Sequence, residues 1–181
     1  GDERSFTAKP EGTLPDFPMI VLVNGGSASA GEIVSGALKE NGRAKVLGTR
    51  TFGKGSVQEV RELDYNRGVL KYTTAYYYLP NGQNINRMPD AETWGVDPDP
   101  GMVVPMSDDE LRAMYEARRD FEIIRTGHGH IAECVDASWV RSTLKDEQLA
   151  RAVEALSARV QAGQWPGGTG EDNAAVVALD Q

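Results

Sequence analysis

Cysteine is almost missing from this 181-residue chain. Cys134 stands alone, so no internal disulfide can form and the redox compartment cannot be read from thiols. An excess of positive charge is missing too. Nineteen Lys and Arg face 27 Asp and Glu, for a formal net charge of −8, which argues against nucleic acid because phosphate binding needs clustered cations. No apolar run approaches the roughly 20 residues of a membrane-spanning helix. The opening Gly1-Asp2-Glu3-Arg4-Ser5 is polar and does not read as a signal peptide. Histidine is limited to His128 and His130. With Cys134 nearby they make a thin zinc ligand set, and the glycine-rich stretch around them reads as a surface linker.

What is present is organised. Residues 1–17, with Pro10 and Pro15, read as a polar lead-in. The continuous apolar run over 18–23 predicts a buried strand. Residues 30–41 predict a helix stopped by Asn41-Gly42, and Ala44–Gly48 a second short strand. Strand, helix and strand in about 30 residues fit one right-handed βαβ crossover. Residues 57–78 predict an antiparallel pair turned at Asp64–Gly68. Tyr76, Tyr77 and Tyr78 read as sheet packing, with substrate lining as the alternative. Ser107-Asp108-Asp109-Glu110 is a capping box opening a helix to about Arg125. Thr143–Asp146 opens a second amphipathic helix, with Leu149, Val153, Leu156 and Val160 on one face. These signals divide the chain into an α/β unit over 1–126, a linker over 127–142, an amphipathic helix over 143–165 and a flexible tail over 166–181.

Two blocks carry chemistry. Asn24-Gly25-Gly26-Ser27-Ala28-Ser29-Ala30-Gly31-Glu32 joins the first strand to the first helix. Such a turn can hold a serine hydroxyl at a helix N-terminus, where free N–H groups and the dipole favour an oxyanion. Thr51-Phe52-Gly53-Lys54-Gly55-Ser56-Val57-Gln58 places a lysine between two glycines. A serine nucleophile with a lysine base is a known alternative to Ser-His-Asp. Taken singly, Ser27 and Ser29 read equally well as turn or cap residues, and Lys54 as a solvated surface lysine. Glu32 reads as a carboxylate favoured by the helix dipole. The Gly25-Gly26 pair lacks the Lys-Ser/Thr of a phosphate loop.

Both blocks resemble the C-terminal processing peptidases, or tail-specific proteases, almost letter for letter. The likeness continues through Leu70–Tyr78, Pro80-Asn81-Gly82-Gln83 and Trp94–Asp99, and departs at Gly31, where many relatives have serine. The resemblance implies Ser29 as nucleophile, Lys54 as general base and Gln58 as the residue that orients the lysine. Ala30 supplies an oxyanion-hole N–H by the rule that the residue after the nucleophile donates. It implies a serine endopeptidase acting near the C-termini of protein or peptide substrates through an acyl-enzyme, without metal or cofactor. It further implies a crotonase-like α/β core, here with an added antiparallel strand pair and C-terminal helices. An extracytoplasmic location, periplasmic or in the cell envelope, follows from the same likeness. Because the chain starts at Gly1 only one strand before the serine block, it is expected to be the C-terminal piece of a longer protein. A PDZ-type module, the rest of the catalytic domain and a second oxyanion donor are expected upstream. Two alternatives stay open: an interaction domain of the same fold without catalysis, and a crotonase-type acyl transferase. The latter needs a coenzyme A site, for which no basic cluster is evident in the sequence.

Overall fold

A computed structural model describes residues 5–123 and 135–166. His128, His130, Cys134 and the tail residues 167–181 lie outside them. The described residues form a mixed helix and strand structure.

Its centre is a parallel pair, β1 (Ile20–Val23) and β2 (Lys45–Gly48), in register from Ile20 opposite Lys45 to Val23 opposite Gly48. Helix α1 (Ala30–Glu40) makes the crossover and stops at Asn41, as the sequence predicts. Successive strand residues face opposite ways. Val21, Val23 and Val46 therefore pack on one side with Ile33, Leu79, Ile85 and Val96. Ile20 and Leu47 pack on the other with Met102, Val104, Ala152 and Ala155. Val46 and Leu47 are almost wholly buried; burying one such side chain stabilises by roughly 1.5–3 kcal/mol. Residues 102–104 run alongside β2, with Gly48 N–H donating to Met102 O at 3.0 Å and Val104 N–H to Gly48 O at 2.8 Å.

β3 (Ser56–Glu62) and β4 (Val69–Tyr76) form the antiparallel pair, with a bulge where Val57 faces Ala75 but Gln58 faces Thr73. This two-stranded ribbon is exposed along most of its length. Tyr76, Tyr77 and Tyr78 are 39%, 41% and 64% exposed, so they are not packed into a sheet interior. The reason is that the two-stranded ribbon forms no sheet with the β1–β2 pair that could cover them.

Helix α2 (Asp108–Glu122) starts with the expected box. Ser107 Oγ accepts from Glu110 N–H, and Glu110 Oε2 accepts from Ser107 N–H at 2.7 Å. A short helix, α3 (Ala137–Trp139), runs into a π-helical turn at Val140–Leu144. These residues include 137–142, which the sequence reads as linker. They are ordered because Asp136 caps Trp139 N–H at 2.8 Å and because Val140 and Leu144 are buried against Ala150. Helix α4 (Glu147–Ala162) begins later than Thr143, at the Asp146 cap, and ends at Gly163 with φ 71°. Its buried residues are Gln148, Ala150, Ala152 and Ala155. Val160, by contrast, is 70% exposed, so the Leu149-Val153-Leu156-Val160 stripe is not the main packing face. Alanines let the helix axis come close to the β1–β2 sheet, where larger side chains would hold it off.

On the opposite side, Gly36 brings α1 close to its neighbours. A Cβ there would meet Leu79 Cδ2 at 2.4 Å and Val96 Cγ2 at 3.2 Å. Gly36→Ala is therefore expected to lower stability by about 1–3 kcal/mol through overpacking. Gly31→Ala has nothing within 4 Å and is expected to be neutral or to gain up to ~1 kcal/mol of helix propensity. Urea unfolding of the two variants checks the pair; equal behaviour would contradict the packing described.

Candidate active site

The turn between β1 and α1 is built by short side chains. Asn24 Oδ1 accepts from Gly26 N–H at 2.9 Å, and Ser27 Oγ accepts from Asn24 N–H at 3.1 Å. Ser27 is thereby committed to the turn. Ser29 is different: it has φ 55° and ψ −117°, a left-handed φ on a residue with a Cβ. Holding a non-glycine residue there costs on the order of 1–3 kcal/mol. Strained strand-to-helix turns of this kind are where serine nucleophiles sit in hydrolases. Ala30 is the first residue of α1, so its N–H belongs to the unsatisfied donors at the positive end of that helix.

The lysine segment approaches this turn through Glu32, which is completely buried. Glu32 Oε2 accepts from Ser29 N–H at 2.8 Å and from Lys54 N–H at 2.7 Å. Glu32 Oε1 accepts from Gly53 N–H and from Thr51 Oγ1, both at 2.6 Å. Two nitrogens that share one acceptor oxygen are no further apart than the sum of those two bonds. The Ser29 and Lys54 backbones are thus held as neighbours. Phe52 N–H adds a bond to Ser27 O at 3.0 Å.

The far side of the lysine loop is also fixed. Gly55 N–H donates to Asn86 Oδ1 at 3.2 Å, Tyr77 N–H to Gly55 O at 2.8 Å, and Arg87 N–H to Gly53 O at 2.8 Å. A Cβ on Gly53, at φ 90°, would lie 2.6 Å from Trp94 Cδ1, and one on Gly55 2.6 Å from Ile85 Cγ1. Both glycines are needed for this approach. Trp94 lies under the Arg50 and Arg87 guanidiniums, at 4.5 and 4.2 Å. Val96 N–H donates to Thr51 Oγ1 at 2.7 Å, tying the 94–97 segment to the same carboxylate through the threonine.

The structure therefore brings the Ser29 and Lys54 backbones together. The Lys54 side chain is exposed, as is Gln58 on β3. Among the described residues no hydrogen bond joins Lys54 Nζ to Ser29 Oγ or to Gln58. Glu32 is the residue that sequence reasoning undervalued. Its only local signal is the spacing of an acid three residues after Ser29, which also fits an ordinary helix start. Among the described residues no group of His, Cys, Asp and Glu is arranged to hold a metal ion.

Replacing one carboxylate oxygen by an amide in Glu32→Gln turns donors against a donor. The expected cost is at least ~2 kcal/mol, from buried N–H groups left unpaired. Urea unfolding measures it, and amide exchange at Ser29, Gly53 and Lys54 is expected to quicken. Unchanged stability and exchange would mean that the carboxylate is not the tie.

The sequence model of peptidase family S41 matches residues 1–101. A carboxy-terminal-processing protease of Bartonella bacilliformis is 37% identical over 171 residues, 91% of this chain and 37% of that protein. A carboxyl-terminal-processing protease of Synechocystis is 45% identical over 93 residues, 50% of this chain and 21% of that protein. A solved photosystem II D1 C-terminal processing protease is 44% identical, with a TM-score of 0.42 over 48% of this chain and 20% of that one. The chain thus spans well under half the length of these relatives. With the family pattern covering more than half of its own residues, strained serine turn and lysine loop included, the chain belongs to peptidase family S41.

Proposed function

We propose that this chain carries the Ser/Lys half of a serine endopeptidase site, on a crotonase-like core, that processes proteins near their C-termini. The carrying observation is the strained Ser29 turn joined to the Lys54 loop by one buried carboxylate. In the proposed reaction Ser29 Oγ attacks the scissile carbonyl while neutral Lys54 takes its proton. The tetrahedral oxyanion rests on the Ala30 N–H. Collapse expels the amine, which leaves with the proton from Lys54, and water then hydrolyses the acyl-enzyme by the reverse transfer. Gln58 orients the lysine without a charge that would hold it protonated.

A free lysine has a pKa of about 10.4 and is a poor base at neutral pH. Its charge must be disfavoured by burial. Lys54 is exposed here, so the reading assigns its burial to bound substrate and to the rest of the protein. That rest includes a second oxyanion donor and a PDZ-type module that presents substrate. The reading places the protein outside the cytoplasm. Among the described residues no helix is long and apolar enough to cross a membrane.

In a protein containing this chain and its upstream half, Ser29→Ala and Lys54→Ala are expected to abolish hydrolysis of an unfolded protein while leaving the fold intact. Lys54→Arg is expected to be equally inactive, because a guanidinium does not deprotonate. Gln58→Ala is expected to be milder. Turnover assays with thermal melts check all four; activity retained in Lys54→Arg would reject lysine as the base. The 181-residue chain by itself is expected to be at least ~10²-fold slower, the cost of one missing oxyanion donor.

A further inference from the structure

At the end of the sheet opposite Ser29 and Lys54 lies a second site. β1 and β2 are parallel and the two catalytic candidates follow their C-terminal ends. Their N-terminal ends, at Met19 and Lys45, border a cavity of about 230 Å³. Lys39, Arg43, Lys45 and Arg159 line it, with Asp16 and Asp99. Four cations against two carboxylates leave the cavity two positive charges, in a chain whose net charge is −8.

The end of α1 accounts for Lys39 and Arg43, since cations favour a helix C-terminus. It does not account for Arg159 from α4, while Lys45 from β2 is paired with Asp99 Oδ1 at 2.7 Å. Much donor capacity remains open. Lys39 Nζ donates to Asp97 O at 2.8 Å, and Arg43 Nη1 donates to Phe17 O at 2.8 Å and lies 3.6 Å from Asp16 Oδ1. An ammonium has three donors and a guanidinium five. Each arginine is laid on a ring, Arg43 at 4.6 Å from Phe17 and Arg159 at 5.9 Å from Trp165. Stacking leaves the N–H edge of a guanidinium available for bidentate contact with an oxyanion. Among the described residues Arg159 makes no ion pair.

We infer that this cavity binds a phosphoryl dianion. The charge matches: a phosphoryl group carries about −1.5 to −2 at neutral pH, whereas a single carboxylate would leave one positive charge in place. Phe17 and Trp165 line the same cavity, so free phosphate and an organic phosphate monoester are the two sources.

The test is calorimetry on the 181-residue chain at constant ionic strength, with inorganic phosphate, phenyl phosphate and acetate as probes. Saturable phosphate binding is expected below ~10 mM. Arg159→Gln and Arg43→Gln are each expected to weaken it about 10-fold, the loss of one charge-assisted donor. Arg112→Gln on α2 should leave it unchanged, and Asp16→Asn, which removes a competing carboxylate, should tighten it. Tighter phenyl phosphate points to a monoester, tighter inorganic phosphate to the free ion. Thermal melts confirm folding, and the Asp16→Asn result stands even where an arginine variant does not fold. No saturable binding, binding insensitive to Arg159, Arg43 and Asp16, or acetate binding as tightly as phosphate would overturn the inference.

Discussion

The Glu32 carboxylate, with no exposure to solvent, collects four donors from two separate stretches of chain. A buried carboxylate without partners would cost several kcal/mol. Here its oxygens are satisfied by three backbone N–H groups and one hydroxyl. The arrangement works in both directions. The carboxylate needs those donors, and the Ser29 and Lys54 segments have no equivalent acceptor if it is removed. A left-handed φ at Ser29 persists only where surroundings over-determine it, and this carboxylate, which takes the Ser29 N–H at 2.8 Å, is part of those surroundings.

The rest of the fold supports that tie. The parallel pair points the ends of β1 and β2 in one direction, so the serine turn and the lysine loop leave the sheet on the same side. Core residues on both faces fix the pair: Val23 and Val46 against Leu79, Ile85 and Val96, and Leu47 against Met102 and α4. The 84–97 segment then closes over the glycines flanking Lys54, with Trp94 against Gly53 and Ile85 against Gly55. Asp97 extends the support by pairing with Arg50, and its carbonyl takes Lys39 Nζ.

Much of this was legible in the residues. The apolar run at 18–23, the small-residue turn and the Asn41-Gly42 stop predict β1 and α1 because their signals are local. The Ser107 box predicts α2 for the same reason. Glu32 was not legible as a hub, because three of its four partners lie 19, 21 and 22 residues away. The packing face of α4 was misjudged on a physical ground. Hydropathy ranks Leu and Val above Ala, yet close approach of the helix to the sheet selects the alanines at 152 and 155, and its contact with Val140 and Leu144 selects Ala150. The π-turn at Val140–Leu144 carries no turn or cap signature of its own and depends on burial of those two side chains against Ala150.

We propose that Ser29, and not the neighbouring Ser27, is activated by Lys54 across the carboxylate-tied turn. Covalent labelling by a fluorophosphonate in a protein containing this chain and its upstream half, with the adduct mapped by mass spectrometry, tests it most directly. The expected result is an adduct on Ser29 alone, which is lost in Lys54→Met. An adduct on Ser27, or labelling of Ser29 at an unchanged rate without Lys54, would contradict it.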